Sequence, residues 1–254
     1  MRRVDATALL VVIGAFALVV GRTDVALLYV RPSSRLWLTL AGVALLALGV
    51  AQAALLVRDR RATEADGTDP DEGHRLGRVG WLLVVPVAIA VAVGANPLGS
   101  YAAGRQNGER TLPAGEFDLE QHLRAGSFAG QAPALRVLDF LRAADDPDDR
   151  SLLLETPVRL TGFVTHDADE GDPHHFLLTR FTIGCCAADA IALFVQVEVP
   201  DHALPEADAW VEVEGVLLAD PWSDDDPYTP DRPRLEAREV RAVEQPTEVY
   251  EYPP

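Results

Sequence analysis

The most reactive side chains in the sequence are its only two cysteines, Cys185 and Cys186, which are adjacent. Two neighbouring thiolates can bind one soft metal or metalloid centre together. The chain also carries imidazole and carboxylate side chains close by that could complete a ligand set: His166, His174, His175 and Asp189. The pattern lacks the spacing of a zinc ribbon or a thioredoxin motif, so two other interpretations stay open.

One alternative is a redox pair, because adjacent cysteines can close only a strained disulfide, and strained disulfides are the labile ones. The other is structural: two small buried residues at the end of a strand. His174 and His175 follow a turn and begin a predicted strand, where they would point to opposite faces. At most one of them could therefore reach the cysteines.

The segments before and after this motif alternate apolar and polar residues, as β-strands do. We predict five strands separated by Gly, Pro and Asp turns: Pro157–Thr165, His175–Ile183, Ile191–Val199, Trp210–Leu218 and Arg234–Val243. Gly162 and Gly215 fall inside the first and fourth strands, where a small barrel must bend. This pattern predicts a five-stranded Greek-key barrel of the oligonucleotide/oligosaccharide-binding (OB) type, with a β-sandwich as the competing fold.

Two helices are predicted before the strands. Asp118–Arg124 is a short one with Asp118 as its cap, and Pro133–Ala144 has leucines at three-residue steps. The acidic turn Asp145–Asp149 is expected to end the second helix. The fold class is therefore α + β, with N-terminal transmembrane helices and a mostly β domain.

Three apolar stretches predict transmembrane helices at about 4–30, 36–57 and 79–98. The second is 22 residues with two polar members, and the third contains Pro86 as an expected kink. The first is interrupted by Arg22 and Asp24. Its start also resembles a signal peptide, but the small-residue triplet Ala15–Ala17 lies inside the apolar run rather than after it, which favours a span over cleavage.

Arginines near the helix ends predict the orientation. Seven lie before the first span or between the second and third, and three lie in the first loop. The seven are Arg2, Arg3, Arg58, Arg60, Arg61, Arg75 and Arg78, and the three are Arg22, Arg31 and Arg35. The larger group marks the cytoplasmic side, so we expect a multi-pass protein of the cell membrane with an extracytoplasmic C-terminal domain.

The charge composition also divides the chain into a membrane part and an acidic part. Residues 97–254 carry 12 Arg and 31 acidic residues, a net charge of −19. Such a domain would repel phosphate backbones, so nucleic acid is not an expected partner, whereas membrane lipid is. We predict a membrane domain at 1–98, a Gly-rich linker at 99–116 and an extracytoplasmic domain at 117–254.

Four segments together resemble the YcgQ-like family of predicted two-component permease subunits: Thr161–Val164, Phe176–Ala190, Trp210–Gly215 and Glu244–Tyr252. The run Arg-Phe-Thr-Ile-Gly-Cys-Cys-Ala-Ala-Asp-Ala is the most specific part. One departure is Glu155-Thr156-Pro157, where the family often has Gly-Lys before the first strand.

The resemblance implies a small bacterial membrane protein that works beside a larger permease, similar to the organoarsenical-efflux type. We therefore expect a non-enzymatic accessory subunit whose outer domain binds or gates the transported species, with a soft metal or metalloid as the expected ligand of the cysteine pair. A membrane-tethered thiol-redox protein and a structural assembly factor with inert cysteines are the alternatives.

Overall fold

The computed structural model describes residues 3–66, 85, 88–89, 96–106, 112–126, 132–166, 174–199, 204–219 and 232–253. The chain forms two compact units, Met1–Asn96 and Pro97–Pro254, which are described separately.

Within the first unit, residues 3–66 form a helical hairpin. Helix α1 covers Arg3–Arg22, a 3₁₀ turn covers Asp24–Leu28, and helix α2 covers Ser34–Asp66. The predicted 4–30 span is thus not one helix, because the chain leaves α-helical geometry after Arg22. The Arg35 side chain closes the turn by donating to the carbonyl of Thr23 at 3.1 Å and pairing with Asp24 at 3.3 Å.

Helices α1 and α2 touch through glycines. A Cβ on Gly42 would lie 2.8 Å from the backbone nitrogen of Leu18, and one on Gly14 would lie 2.9 Å from that of Leu46. Small residues at such a contact let two backbones approach closely, as they do in membrane helix pairs. A larger residue at either position would push the helices apart.

Helix α2 is long and apolar enough to cross a membrane over Ser34–Arg58, which is 25 residues. Only 11% of its most apolar window is buried, so its large apolar side chains are not covered as those of a soluble core helix would be. The apolar part of α1, Ala6–Arg22, is shorter. The predicted third span at 79–98 lies mostly outside the described residues.

Among the described residues of the second unit, four helices precede the main strands: α3 (Ser100–Ala103), α4 (Leu119–Gly126), α5 (Val137–Asp145) and α6 (Pro147–Glu155). The predicted helix Pro133–Ala144 is wrong at its start, because Ala134–Leu135 forms strand β1, parallel to Arg159–Leu160. The helix does end at the acidic segment, after Asp145, but a further helix begins at once at Pro147. Asp146 accepts hydrogen bonds from the N–H groups of Asp148 and Asp149 and so caps α6.

Five strands form a closed barrel, which confirms the α + β fold class and the five-stranded barrel. They are β2 (Val158–Thr165), β3 (His175–Thr182), β4 (Ile191–Glu198), β5 (Trp210–Leu217) and β6 (Arg234–Ala242). The order around the barrel is β2-β5-β6-β4-β3 and back to β2. Only the β4–β6 pairing within the barrel is parallel. Strand β7 (Tyr250–Glu251) adds to β3 in parallel.

The barrel closes where two glycines allow close backbone contacts. Strand β2 pairs with β5 up to Phe163 and with β3 from Phe163 onward, so it bends beside Gly162. A Cβ there would lie 2.7 Å from the Thr179 carbonyl oxygen. Gly215 sits at a register shift between β5 and β6, where a Cβ would lie 2.4 Å from the Glu236 carbonyl oxygen.

The core lies inside the barrel and under α5 and α6. Its members are apolar side chains that the strands point inward together with those of the two helices. They include Leu138, Phe140, Leu141, Leu153, Leu160, Phe176, Leu178, Leu193, Val195, Val213 and Leu235. The helices therefore cover one part of the barrel and leave the β3–β4 loop outside the core.

We predict that Gly215→Ala destabilises the second unit by about 1–3 kcal/mol, because the new methyl group meets a backbone carbonyl that cannot rotate away. Gly104→Ala is the matched control, since its Cβ would meet only the Ser100 carbonyl at 3.4 Å, an ordinary contact. Urea unfolding of the full chain in detergent, followed by tryptophan fluorescence, compares the two. Equal midpoints for both variants would contradict the close approach at Gly215.

Candidate functional site

Cys185 and Cys186 lie in the loop that joins β3 to β4. Strand β3 ends at Thr182, Ile183 is buried, and the two cysteines follow Gly184. A 3₁₀ turn at Ala187–Asp189 then leads into β4. Both thiols are free, Cys185 exposed and Cys186 partly exposed, so the cysteines are not the buried core residues that the structural interpretation required.

The carboxylate of Asp189 organises the loop. Its Oδ1 accepts a hydrogen bond from the Gly184 N–H at 3.0 Å, and its Oδ2 accepts one from the Cys185 N–H at 2.8 Å. The Asp189 N–H in turn donates to the Cys186 carbonyl at 3.0 Å. A short polar side chain that bonds nearby backbone in this way fixes a tight turn.

The same contacts change the acidity of the two side chains. A hydrogen bond from the Cys185 thiol and bonds from backbone N–H groups lower the pKa of Asp189. The hydrogen bond to Asp189, followed by the neighbouring Cys186 thiol, raises the pKa of Cys185 to about 11. At neutral pH Cys185 is therefore a protonated thiol beside a charged carboxylate.

Three potential ligand atoms meet at this loop. The two Sγ atoms are 3.6 Å apart, and both lie within 4.8 Å of a carboxylate oxygen of Asp189. A soft cation that displaced the thiol protons would meet two thiolates and one oxygen. The same sulfur spacing is also compatible with thiol–disulfide chemistry.

The predicted histidines do not join this cluster. His174 and His175 lie at the start of β3, and the cysteines follow its end, a separation of roughly 23 Å along seven residues of strand. His175 is buried and His174 exposed. His166 follows β2, where its Nε2 lies 3.1 Å from the Pro205 carbonyl oxygen. Sequence proximity suggested these residues, but strand length separates the two histidines of β3 from the thiols.

Hydrogen bonds hold the loop at both ends. The Ile183 N–H donates to the Glu251 carbonyl at 3.0 Å. At the other end, the Gln106 amide donates to the Ala190 carbonyl at 2.9 Å and accepts from the Ala192 N–H at 2.8 Å. Gln106 belongs to the segment predicted as a linker, part of which therefore packs on the barrel.

Glu251 also carries a buried carboxylate. Its two oxygens accept hydrogen bonds from the N–H groups of Val137 and Leu138, at 2.8 and 2.7 Å, at the start of α5. The Arg180 guanidinium lies 3.6 Å from Glu251 Oε1, donates to the Glu248 carbonyl, and stacks 5.0 Å above the Trp210 ring. Burial raises the pKa of Glu251 and lowers the pKa of Arg180, and the charge of each opposes the shift of the other.

Sequence reasoning missed Gln106, Glu251 and the role of Arg180. One signal for Arg180 was present, because a lone arginine in the middle of the apolar run His175–Ile183 needs a buried partner. Nothing in the local sequence indicated that Gln106 or Glu251 would reach the β3–β4 loop, since both contacts join residues more than 65 positions apart.

The part of the chain that carries this site matches a known family model. Residues 153–253 match the DUF1980 C-terminal domain. The match contains every strand of the barrel, both cysteines, Asp189 and Glu251. It is consistent with a DUF1980 or YcgQ-like family for this domain, as the resemblance implied.

No curated protein matches the chain. Among solved structures, the chain is similar to an OBody, AM3L09, in a structure where that protein is bound to hen egg-white lysozyme. The two are 16% identical, the match covers 36% of this chain and 85% of the OBody chain, and the TM-score is 0.23.

We predict that Asp189→Asn makes Cys185 alkylate faster, by about tenfold or more at pH 8. Removing the charged acceptor lets the pKa fall from about 11 toward an ordinary thiol value, which raises the thiolate fraction. Iodoacetamide labelling by mass spectrometry in a Cys186→Ser background isolates Cys185. Asp146→Asn, which also removes a carboxylate that accepts two backbone N–H groups, is the control and should leave the rate unchanged. Equal rates in both variants would show that Asp189 does not hold the thiol proton.

We predict that Glu251→Ala costs roughly 3–5 kcal/mol of stability, because it leaves a buried arginine without its ion-pair partner and two helix N–H groups without their acceptor. Glu251→Gln should fall between it and the wild type, since the amide oxygen can still accept one N–H. Glu244→Ala, on the exposed part of the same tail, should change stability by less than about 0.5 kcal/mol. Urea unfolding of the full chain measures all three, and an alanine variant at Glu251 as stable as that at Glu244 would rule out the buried pair as a major contribution.

Proposed function

We propose that this chain is a non-enzymatic, membrane-anchored accessory subunit of a larger permease, and that its barrel domain binds the transported species at Cys185 and Cys186. The transported species in this proposal is a thiophilic metal or metalloid. The observation that carries it is the cluster of two free thiols 3.6 Å apart with a carboxylate within 4.8 Å, on an exposed loop.

The arrangement of the loop suits binding better than packing. Its Cys185 side chain is exposed and that of Cys186 partly exposed, while its backbone is fixed by Asp189, Gln106 and the Glu251 carbonyl. A site that must receive and release a ligand needs ligand atoms at the surface and a scaffold that keeps them in place. The β3–β4 loop has both properties.

Membrane anchoring rests on α2 and on the charge pattern of the sequence. Helix α2 can span a membrane, and the arginine distribution favours a multi-pass arrangement with the barrel outside the cell. In this proposal the spans contact the permease and lipid, and the barrel, OB-like in its Greek-key strand order, presents the thiols to the extracytoplasmic space.

A thiol-redox function is the second candidate, favoured by the same sulfur separation and by the oxidising setting expected outside the cell. It differs from binding in what the thiols must do, because redox chemistry consumes and regenerates them. An assembly factor with inert cysteines is the third hypothesis, and it predicts that the thiols can be removed without effect.

A complementation experiment separates the three. Cells lacking the gene are grown with graded zinc, cadmium, arsenite or a chelator, and are then supplied with wild-type protein or with Cys185→Ser/Cys186→Ser. We expect the deletion to change tolerance or cell content of at least one thiophilic species, and the double variant to fail to restore it, since a hydroxyl does not replace a thiolate ligand. His174→Ala, at the far end of β3, is the control and should restore growth.

Two outcomes oppose the proposal. Full rescue by the double serine variant, at equal membrane levels, supports the assembly factor. A cysteine pair found cycling between thiol and disulfide in cells, with no metal-dependent phenotype, supports the redox function. Trapping with a thiol alkylating reagent before lysis reports that state directly.

A further inference from the structure

We infer that the cluster of Cys185, Cys186 and Asp189 takes a divalent cation of the zinc and cadmium class, held by three protein ligands with a fourth position open for exchange. This inference rests on the proposed binding function and adds the kind of ion and the form of the site. Binding replaces the two thiol protons, which pass to the solvent, and involves no change of oxidation state.

The distance between the two sulfur atoms favours a tetrahedral metal site over a linear one. In a tetrahedral site with metal–sulfur bonds of about 2.3 Å, two sulfurs lie about 3.8 Å apart, whereas a linear two-sulfur site separates them by about 4.6 Å. The observed distance between the Sγ atoms of Cys185 and Cys186 is 3.6 Å. The pair is therefore already close to tetrahedral spacing and would have to open for a linear cation such as Cu⁺ or Hg²⁺.

The third ligand separates divalent ions from softer ones. Asp189 brings a carboxylate within 4.8 Å of both sulfurs, while a tetrahedral site needs about 3.5 Å between sulfur and oxygen ligands. Exposed thiols can cover that difference by side-chain rotation. A mixed set of two thiolates and a carboxylate suits a borderline cation such as Zn²⁺, because the softest cations gain little from an oxygen ligand.

The loop geometry leaves room for that role of Asp189. A carboxylate offers about four lone-pair sites, and the backbone N–H groups of Gly184, Cys185 and Cys186 use at most three, so at least one remains for a metal. The same backbone bonds hold the carboxylate in place, as partners outside the metal's own ligands do in natural metal sites.

The coordination is incomplete among the described residues. The cluster of His, Cys and acidic side chains there contains three members, and Cys185 is exposed. Zinc sites with three protein ligands and an open position exchange ligands, whereas structural zinc sites have four protein ligands. An open, exposed site fits a protein that passes an ion to a partner better than one that stores it.

The charge of the second unit supports a cation. Residues 97–254 carry a net charge of −19, which raises the local concentration of divalent cations but has no such effect on neutral arsenous acid. Charge, sulfur spacing and the carboxylate therefore favour the same class of ion.

The experiment uses the full chain in detergent, reduced with a phosphine, and titrated with Co²⁺ and then Cd²⁺. We expect one equivalent of Co²⁺ with sulfur-to-metal charge transfer and the strong visible bands of tetrahedral cobalt, displaced by Cd²⁺. Cys185→Ser and Cys186→Ser should each weaken binding by about 100-fold, and Asp189→Asn by about tenfold. Asp146→Asn, which alters an acidic turn without thiols, is the matched control and should bind as the wild type does.

The other outcomes separate this inference from the proposed function. Stoichiometric binding of Ag⁺ or of phenylarsine oxide without Co²⁺ or Cd²⁺ overturns the divalent tetrahedral site and leaves a thiophilic binding function intact. Octahedral Co²⁺ that is unaffected by the serine variants is adventitious binding to acidic surface and also overturns it. If Asp189→Asn binds Co²⁺ with wild-type affinity, the carboxylate is not a ligand and the three-ligand site is wrong. Reduced protein that binds none of these probes overturns the inference and the proposed function together.

Discussion

The second unit depends on the buried carboxylate of Glu251, which joins a helix, a strand and the C-terminal tail. An ionised carboxylate loses its hydration when it is buried, so it must be compensated by several partners at once. Glu251 has two helix N–H groups and one guanidinium, and these partners come from α5 and from β3. One residue near the end of the chain therefore fixes a helix and a strand that are far apart in sequence.

The consequence for the site is direct. The carbonyl of Glu251 binds the N–H of Ile183, two residues before Cys185, so the side chain that anchors the tail also determines where the loop leaves the barrel. Gln106 determines where the loop returns to β4. The thiols are thus exposed on a loop whose two ends are tied to the fold by long-range contacts, which reduces the conformational entropy that ligand binding would otherwise have to remove.

The sequence was most informative where one periodicity decides the structure. All five barrel strands were predicted to within one residue at each end, because alternating side chains and Gly, Pro and Asp turns act locally. The helix predicted at Pro133–Ala144 was wrong at its start, since pairing of Ala134 and Leu135 with β2 outweighed a helical pattern. Helix α6 was missed although Asp146 and Pro147 form a standard helix start, because the density of acidic residues was taken for a turn.

The candidate site divides in the same way. Cys185, Cys186 and Asp189 lie within five residues, so a local motif was enough to predict that they lie together. The histidines lie ten or more residues before the cysteines, and their nearness in sequence did not bring them to the site. The atoms that hold the loop come from Gln106 and Glu251, and no local pattern could indicate them. The physical reason is that a short turn can supply ligand atoms, whereas a rigid loop requires contacts between residues far apart in sequence. The entropy lost in closing such large loops is offset by the folding of the whole domain. A cysteine pair on an untethered loop of the same sequence would offer the same ligand atoms, but binding would then have to order the loop and lose its conformational entropy. The barrel therefore contributes to binding chiefly by holding the turn that carries the ligands.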